Sequence, residues 1–183
     1  MNLSKEKSTG KHKFELLYAQ DVLDRRIKEL GRRISKDYAE KEPILIGVLK
    51  GCVVFLADLI RSISIPIEME FILASSYANG QVSNNHVTTY GGAEIPLTGR
   101  HLLIVEGVVD SGQTIAAIIG HLKKQDPASI EIVTLLDKPT CRTVDIDAKY
   151  VGFDAGENFV IGFGLDESQR YRNLPFIGKV VNN

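Results

Sequence analysis

The sequence predicts an α/β domain, a central parallel sheet flanked by helices. Three observations predict it. Short apolar runs without alternation recur along the chain, as expected of strands covered on both faces. Stretches of helical periodicity lie between them. The strands run into turns rich in glycine, acids and hydroxyls, the kind of turn that binds ligands at the edge of an open α/β sheet.

Each element follows in order. From Asp21 onward, Leu23, Ile27, Leu30, Ile34 and Tyr38 recur at three- and four-residue spacing, which predicts an amphipathic helix. Arg25, Arg26, Arg32 and Arg33 fall between them and are read as its wet face. Pro43 stops the helix, and Ile44–Leu49 is a buried strand closed by Lys50-Gly51. A second helix spans Val53–Ile60. Ile67–Leu73 alternates apolar and acidic residues, which suits a strand with one wet face. The polar stretch Ser75–Asn85 is a loop, and His86–Tyr90 could return as an antiparallel arm. Leu102–Val105 is a buried strand, followed by a helix from about Gly112 to Lys124 whose apolar face is Ile115, Ile118, Ile119 and Leu122. Ile130–Leu136, Tyr150–Phe153 and Phe159–Phe163 complete the strands. The polar first dozen residues are expected to be loosely held.

Composition bounds the function. The 183 residues make one domain at roughly 150 residues per domain. A hydrophobic share of 44% and a charged share of 25% are those of a globular protein and exclude disordered and collagen-like chains. Lys and Arg number 22 against 23 Asp and Glu, so no strong basic field points to nucleic acid. The two cysteines, Cys52 and Cys141, suit a reducing compartment. No signal peptide is visible, and no apolar run approaches the ~18 residues of a membrane span. The expectation is a cytoplasmic protein with neither a membrane nor a nucleic-acid partner.

The chemistry concentrates between Leu102 and Thr114. A buried strand leads into a turn with Asp110, Ser111 and Gly112, then into a helix start. Free backbone N–H groups, the Ser111 and Thr114 hydroxyls and an unhindered glycine make a phosphate cradle. Gly107–Thr114 spells G-x-x-x-x-G-Q-T, but a P-loop needs a lysine where Gln113 stands. The G-x-S-x-G nucleophile elbow fails because Val109 replaces its first glycine. His12, His86, His101 and His121 show no zinc-ligand spacing.

Val105–Thr114 resembles the 5-phosphoribosyl 1-pyrophosphate (PRPP) motif of type I phosphoribosyltransferases at every position but one. Val48-Leu49-Lys50-Gly51, Ser75-Ser76-Tyr77, Leu135-Leu136-Asp137-Lys138 and Phe159–Asp166 running into Tyr171-Arg172-Asn173-Leu174-Pro175 are similar to the hypoxanthine-guanine branch. The resemblance covers about Val22 to Val180. It implies the type I phosphoribosyltransferase fold as a single domain, 1–183, with a core of about 37–165. A small hood would come from the N-terminal segment and about 166–183, with a flexible lid loop at Ser76 and Tyr77.

The implied function is purine salvage: Mg2+-dependent transfer of 5-phosphoribosyl from PRPP to N9 of hypoxanthine or guanine, giving IMP or GMP and pyrophosphate. The resemblance makes Asp110 the acid/base at purine N7; as a bland alternative, the helix dipole alone favours an Asp there. Glu106, Ser111, Gly112, Gln113 and Thr114 would hold PRPP and its 5′-phosphate. Lys50, Gly51 and Arg172 would bind pyrophosphate, with the Leu49–Lys50 peptide cis. Lys138 would donate to the purine 6-oxo group, Phe159 would stack on the ring, and Val160 and Asp166 would complete the purine site. Glu106 and Asp166 would also meet magnesium. The resemblance further implies a homodimer or homotetramer. The alternative is a catalytically weak PRPP- or nucleotide-binding regulator on the same fold.

One departure stands out. The family has Asp after the Glu, and this chain has Gly107. That removes one of two acids facing the ribose hydroxyls and metal. Gly107→Asp is therefore expected to improve PRPP kinetics, unless the backbone there disfavours a side chain.

Overall fold

The uninterrupted apolar runs do become adjacent parallel strands. The computed structural model describes residues 7–8, 13–75, 88–91 and 95–181. In chain order the elements are β1 (Lys7–Ser8), β2 (Lys13–Tyr18), α1 (Gln20–Asp37), β3 (Ile44–Leu49), α2 (Val53–Ile60), β4 (Glu68–Ser75), β5 (Thr88–Gly91), β6 (His101–Val109), α3 (Gln113–Leu122), β7 (Ser129–Asp137), β8 (Tyr150–Asp154), β9 (Val160–Ile161) and β10 (Ile177–Val181). The larger sheet runs β5-β4-β3-β6-β7-β8. Its members pair in parallel except for β5, which lies antiparallel to β4.

Successive residues of a strand point to opposite faces, so each central strand feeds two cores. Leu45, Leu103, Val105 and Val133 meet α1 and α2 through Leu23, Ile27, Phe55 and Leu56. Ile44, Ile46, Ile104 and Ile132 meet α3 through Ile115, Ile118 and Leu122. Both helix layers thus hold the carboxyl ends of the strands in place.

A second, four-stranded sheet runs β1-β2-β10-β9 and draws on residues near both ends of the chain. Val160–Ile161 pairs with β10 in this sheet. The Tyr18 ring stacks on Phe153 with centroids 4.2 Å apart, and its hydroxyl donates to the Asp154 carbonyl at 2.7 Å. These contacts fasten the small sheet to the edge of the large one. No helix among the described residues is long and apolar enough to cross a membrane.

Several expectations need correction. β6 continues past Val105 to Val109, because its ladder with β7 runs on to Val109 opposite Asp137. Gly107 therefore lies within a strand. The strand expected over Phe159–Phe163 is only Val160–Ile161, since Gly162, Phe163 and Gly164 take positive φ of 92°, 51° and 96°. Arg26 does not simply face solvent: its guanidinium donates to the Val151 and Gly152 carbonyls at 2.9 Å, covering the open edge of β8. On β4 the apolar Met69, Phe71 and Leu73 are each about two-fifths exposed, while Ile72 is buried. The apolar face of this strand thus reaches solvent, as does Glu68 on the other face. Ser76 and Tyr77, expected as the lid, lie outside the described residues, as do His12 and His86.

Candidate active site

β3 and β6 are neighbours, but β3 continues to β4 on one side and β6 to β7 on the other. The crevice beyond their carboxyl ends is where an open α/β sheet receives a ligand. Lys50-Gly51 follows β3, residues 110–114 follow β6, and Lys138 follows β7. The turn expected to cradle phosphate leads directly into a helix start. Gly112 adopts φ +82° and α3 starts at Gln113, with its first N–H groups and positive dipole end at the turn. A single cavity joins Glu106, Asp110, Ser111, Gly112 and Thr114. The Gln113 side-chain amide donates to Thr143 Oγ1 at 3.1 Å.

Asp110 and Lys138 come together. Lys138 Nζ donates to Asp110 Oδ2 at 2.9 Å, with the lysine side chain 8% exposed and the aspartate 55%. The ammonium is thus fixed from below, while the carboxylate keeps an open side toward the crevice. Sequence reasoning missed Arg142. Its guanidinium donates to the carbonyls of Val109 and Asp110 and to the Asp137 carboxylate, and its Nε donates to the Ile146 carbonyl. The neighbouring Thr143 N–H donates to the Ser111 carbonyl at 3.0 Å. The only signal in the sequence is a pair of opposite charges, Asp137 and Arg142, flanking a proline.

The other wall is built from close backbone approach. The Leu49–Lys50 peptide is cis, as the resemblance implied. A Cβ on Gly164 would lie 2.6 Å from the Gly51 carbonyl oxygen, and one on Gly107 would lie 2.8 Å from it. Gly107 has no positive φ, so space and not backbone strain forbids a side chain there. This close approach argues against the improvement expected from Gly107→Asp. The Gly107 N–H donates to Glu106 Oε1 at 2.8 Å. Burial pushes the Glu106 carboxyl up to about 8, against the pull of the Gly107 and Val108 N–H groups.

Arg172 and Asp166 form an ion pair at 2.7 Å, and Arg172 also donates to the Gly164 carbonyl at 2.8 Å. Phe159 is 54% exposed, an open ring just ahead of β9, whereas Val160 is buried. No bond joins Phe159 to Lys138. They are related through Asp137, whose carbonyl accepts the Ala155 N–H at 2.8 Å, and through Asn158, whose side chain donates to the Ala155 carbonyl at 2.9 Å.

Comparison with known proteins places the chain in a family. The phosphoribosyl transferase domain matches residues 16–168. The hypoxanthine phosphoribosyltransferase of Haemophilus influenzae is 41% identical over 174 residues, covering 93% of this chain and 97% of that one. The bifunctional protein TilS/HprT of Listeria monocytogenes is 42% identical over 164 residues, covering 90% of this chain, which spans only 25% of that relative's length. Among solved structures, a hypoxanthine-guanine phosphoribosyltransferase of Bacillus anthracis superposes with a TM-score of 0.85 at 38% identity, covering 92% of this chain and 97% of that one.

Proposed function

The chain belongs to the phosphoribosyl transferase domain family, and from that premise we propose that it transfers 5-phosphoribosyl from PRPP to N9 of hypoxanthine or guanine, giving IMP or GMP and pyrophosphate in purine salvage. The observation that carries this reading is the Asp110–Lys138 pair, set at the ends of adjacent strands beside the phosphate cradle. The N9–C1′ bond forms as the C1′–pyrophosphate oxygen bond breaks, and the base gives up a ring proton to the Asp110 carboxylate. Lys138 donates to the 6-oxo group; adenine would set its amino donors against the ammonium. The backbone and hydroxyls of Ser111–Thr114 hold the 5′-phosphate, and Glu106 faces the ribose. Lys50, Gly51 and Arg172 hold the leaving pyrophosphate, where a planar multi-donor cation suits phosphate oxygens. Phe159 covers the purine face, with Val160 and Asp166 at the ring edge. The chemistry passes through an oxocarbenium-like state, so fixed dipoles and exclusion of water matter more than any nucleophile.

Among the described residues no three His, Cys, Asp or Glu side chains group as a metal cage. That fits magnesium, which is commonly held by one or two carboxylates plus substrate phosphates. Glu106 and Asp166 are the carboxylates that would hold it, and it would neutralise charge on the leaving group. The free Cys52 and Cys141 support a cytoplasmic setting. The half-exposed Met69, Phe71 and Leu73 support self-association as a dimer or tetramer. The deciding experiment is IMP formation from hypoxanthine and PRPP with magnesium, followed by absorbance. Turnover is expected; PRPP binding without turnover would favour a regulatory protein instead.

A further inference from the structure

We propose that Arg142 is a positioning residue for the transfer, holding the purine-facing Asp110 and Lys138 in one frame with the 5′-phosphate loop. This rests on the reading of Asp110 and Lys138 given above. Arg142 touches the site only through other groups. One guanidinium nitrogen donates to the Val109 carbonyl at 2.8 Å and to the Asp110 carbonyl, so it grips the end of β6 where the acid/base side chain leaves the backbone. The other pairs with the Asp137 carboxylate at the end of β7, one residue before Lys138. Nε is occupied by the Ile146 carbonyl at 3.2 Å. Every nitrogen of the guanidinium is thus bonded to protein.

The same strap reaches the phosphate side. A Cβ on Gly112 would lie 3.4 Å from Arg142 Cδ, so the arginine stem lies over the turn. Thr143, the next residue, donates its N–H to the Ser111 carbonyl and accepts from the Gln113 side chain. The product nucleotide has a fixed spacing between its purine and its 5′-phosphate. The protein must keep the two subsites at that spacing, and the Lys138–Thr143 strap is the segment that touches both. Arginine suits the task because its planar fork serves several acceptors in fixed directions, which an ammonium cannot do. Arg142 and Asp137 are 14% and 15% exposed, a largely desolvated pair, so removal of either leaves the other's charge without a partner.

The test compares wild type, Arg142→Lys and Arg142→Ala in steady-state IMP synthesis, with thermal melting beside it. A misplacement of about 1 Å can cost on the order of a hundredfold in rate. Arg142→Lys keeps the charge opposite Asp137 but loses the fork. Its kcat is expected to fall about tenfold to a hundredfold and its KM for hypoxanthine to rise. Its KM for PRPP should rise less than that for hypoxanthine, because Lys50, Gly51 and Arg172 are untouched and the bonds to the 5′-phosphate turn are made by Thr143 rather than by the guanidinium. Added ethylguanidinium should restore part of the activity of Arg142→Ala. If Arg142→Ala does not fold, Arg142→Lys decides alone. An Arg142→Lys enzyme with wild-type kcat and base KM, or one whose loss of activity only follows its folded fraction, overturns the positioning role. Wild-type protein that forms no IMP overturns the functional reading instead, a distinct result.

Discussion

On the side of the crevice proposed to take the purine the geometry is held by side chains. Arg142 ties the ends of β6 and β7, and Lys138 closes on Asp110. On the side proposed to take pyrophosphate it is held by the lack of them. The Gly51 carbonyl fills the space that a Cβ on Gly107 or Gly164 would need, so three backbone segments meet directly. The two walls should fail differently. A side-chain network loses single bonds, each to a charged group and contributing about 1.5–3 kcal/mol. A notch lined by backbone has no soft member, and overpacking one costs about 1–3 kcal/mol and moves the segments it joins. Substitutions on the purine wall should change the chemical step. Those on the glycine wall should change PRPP binding and stability together.

The largest effect is expected at the purine wall. Asp110→Asn keeps the shape and removes the base, so kcat should fall by about 10²–10⁴, the usual range for a lost general acid/base. The nearly buried Lys138 ammonium keeps an amide oxygen but loses its counter-charge, so the melting temperature should fall as well. An Asp110→Asn enzyme with undiminished kcat would dissolve the contrast between the two walls.

Gly107→Asp breaks the comparison from the other side. The resemblance alone suggests a gain, by returning an acid that relatives carry. The Gly51 carbonyl, 2.8 Å from the new Cβ, suggests the opposite. The pyrophosphate segment must shift, with a stability loss of about 1–3 kcal/mol. KM for PRPP should rise about tenfold, as a loss near 1.4 kcal/mol requires, with KM for hypoxanthine nearly unchanged. Tighter PRPP binding by Gly107→Asp would show that the notch yields easily and that the acid matters more than the packing.

Much of this architecture is legible in the amino-acid sequence. Strands buried on both faces leave an unbroken apolar run, so Ile44–Leu49 can be read to the residue. The phosphate turn is legible because its chemistry is local: Gly112 at positive φ, hydroxyls, then a helix start. What stays hidden depends on partners distant in sequence. The apolar run of β6 stops at Glu106-Gly107, while the ladder that extends the strand belongs to β7. Gly107 reads as a missing acid; the carbonyl that explains it lies 56 residues earlier, at Gly51. Arg142 looks like any loop arginine: Asp137, Lys138 and Ile146 lie within five residues of it, but nothing local says that the Val109 and Asp110 carbonyls, 33 and 32 residues earlier, join them as acceptors. The apolar face of β4 proves to be partly exposed, because alternation tells which residues share a face but not which face is covered.

The smallest expected effect is also the gentlest probe of both walls, because each carries one cysteine. Cys52 follows Gly51 and is fully buried, and burial, with the Glu106 charge adding to it, pushes its thiol up to about 12. Cys141 precedes Arg142 on the strap and is partly accessible. The thiolate is the attacking form, so a thiol raised this far stays protonated across the working range and reacts slowly even where reagent reaches it. At pH 9 a group titrating near 12 is on the order of 0.1% thiolate, against a majority for an ordinary thiol. Folded protein should therefore take up iodoacetamide at one site, Cys141, and reach two only after denaturation. Raising the pH from 7 to 9 should leave Cys52 silent, because its rise in thiolate comes only nearer 12. A carbamidomethyl group on Cys141 adds bulk beside Arg142 but removes none of its bonds, so kcat should fall modestly, by about two- to fivefold, less than a misplacement of 1 Å would cost, with KM for PRPP held. Peptide mapping that found Cys52 labelled first would mean that the glycine wall opens in solution. The notch would then be the looser of the two walls, and the order of effects argued here would reverse.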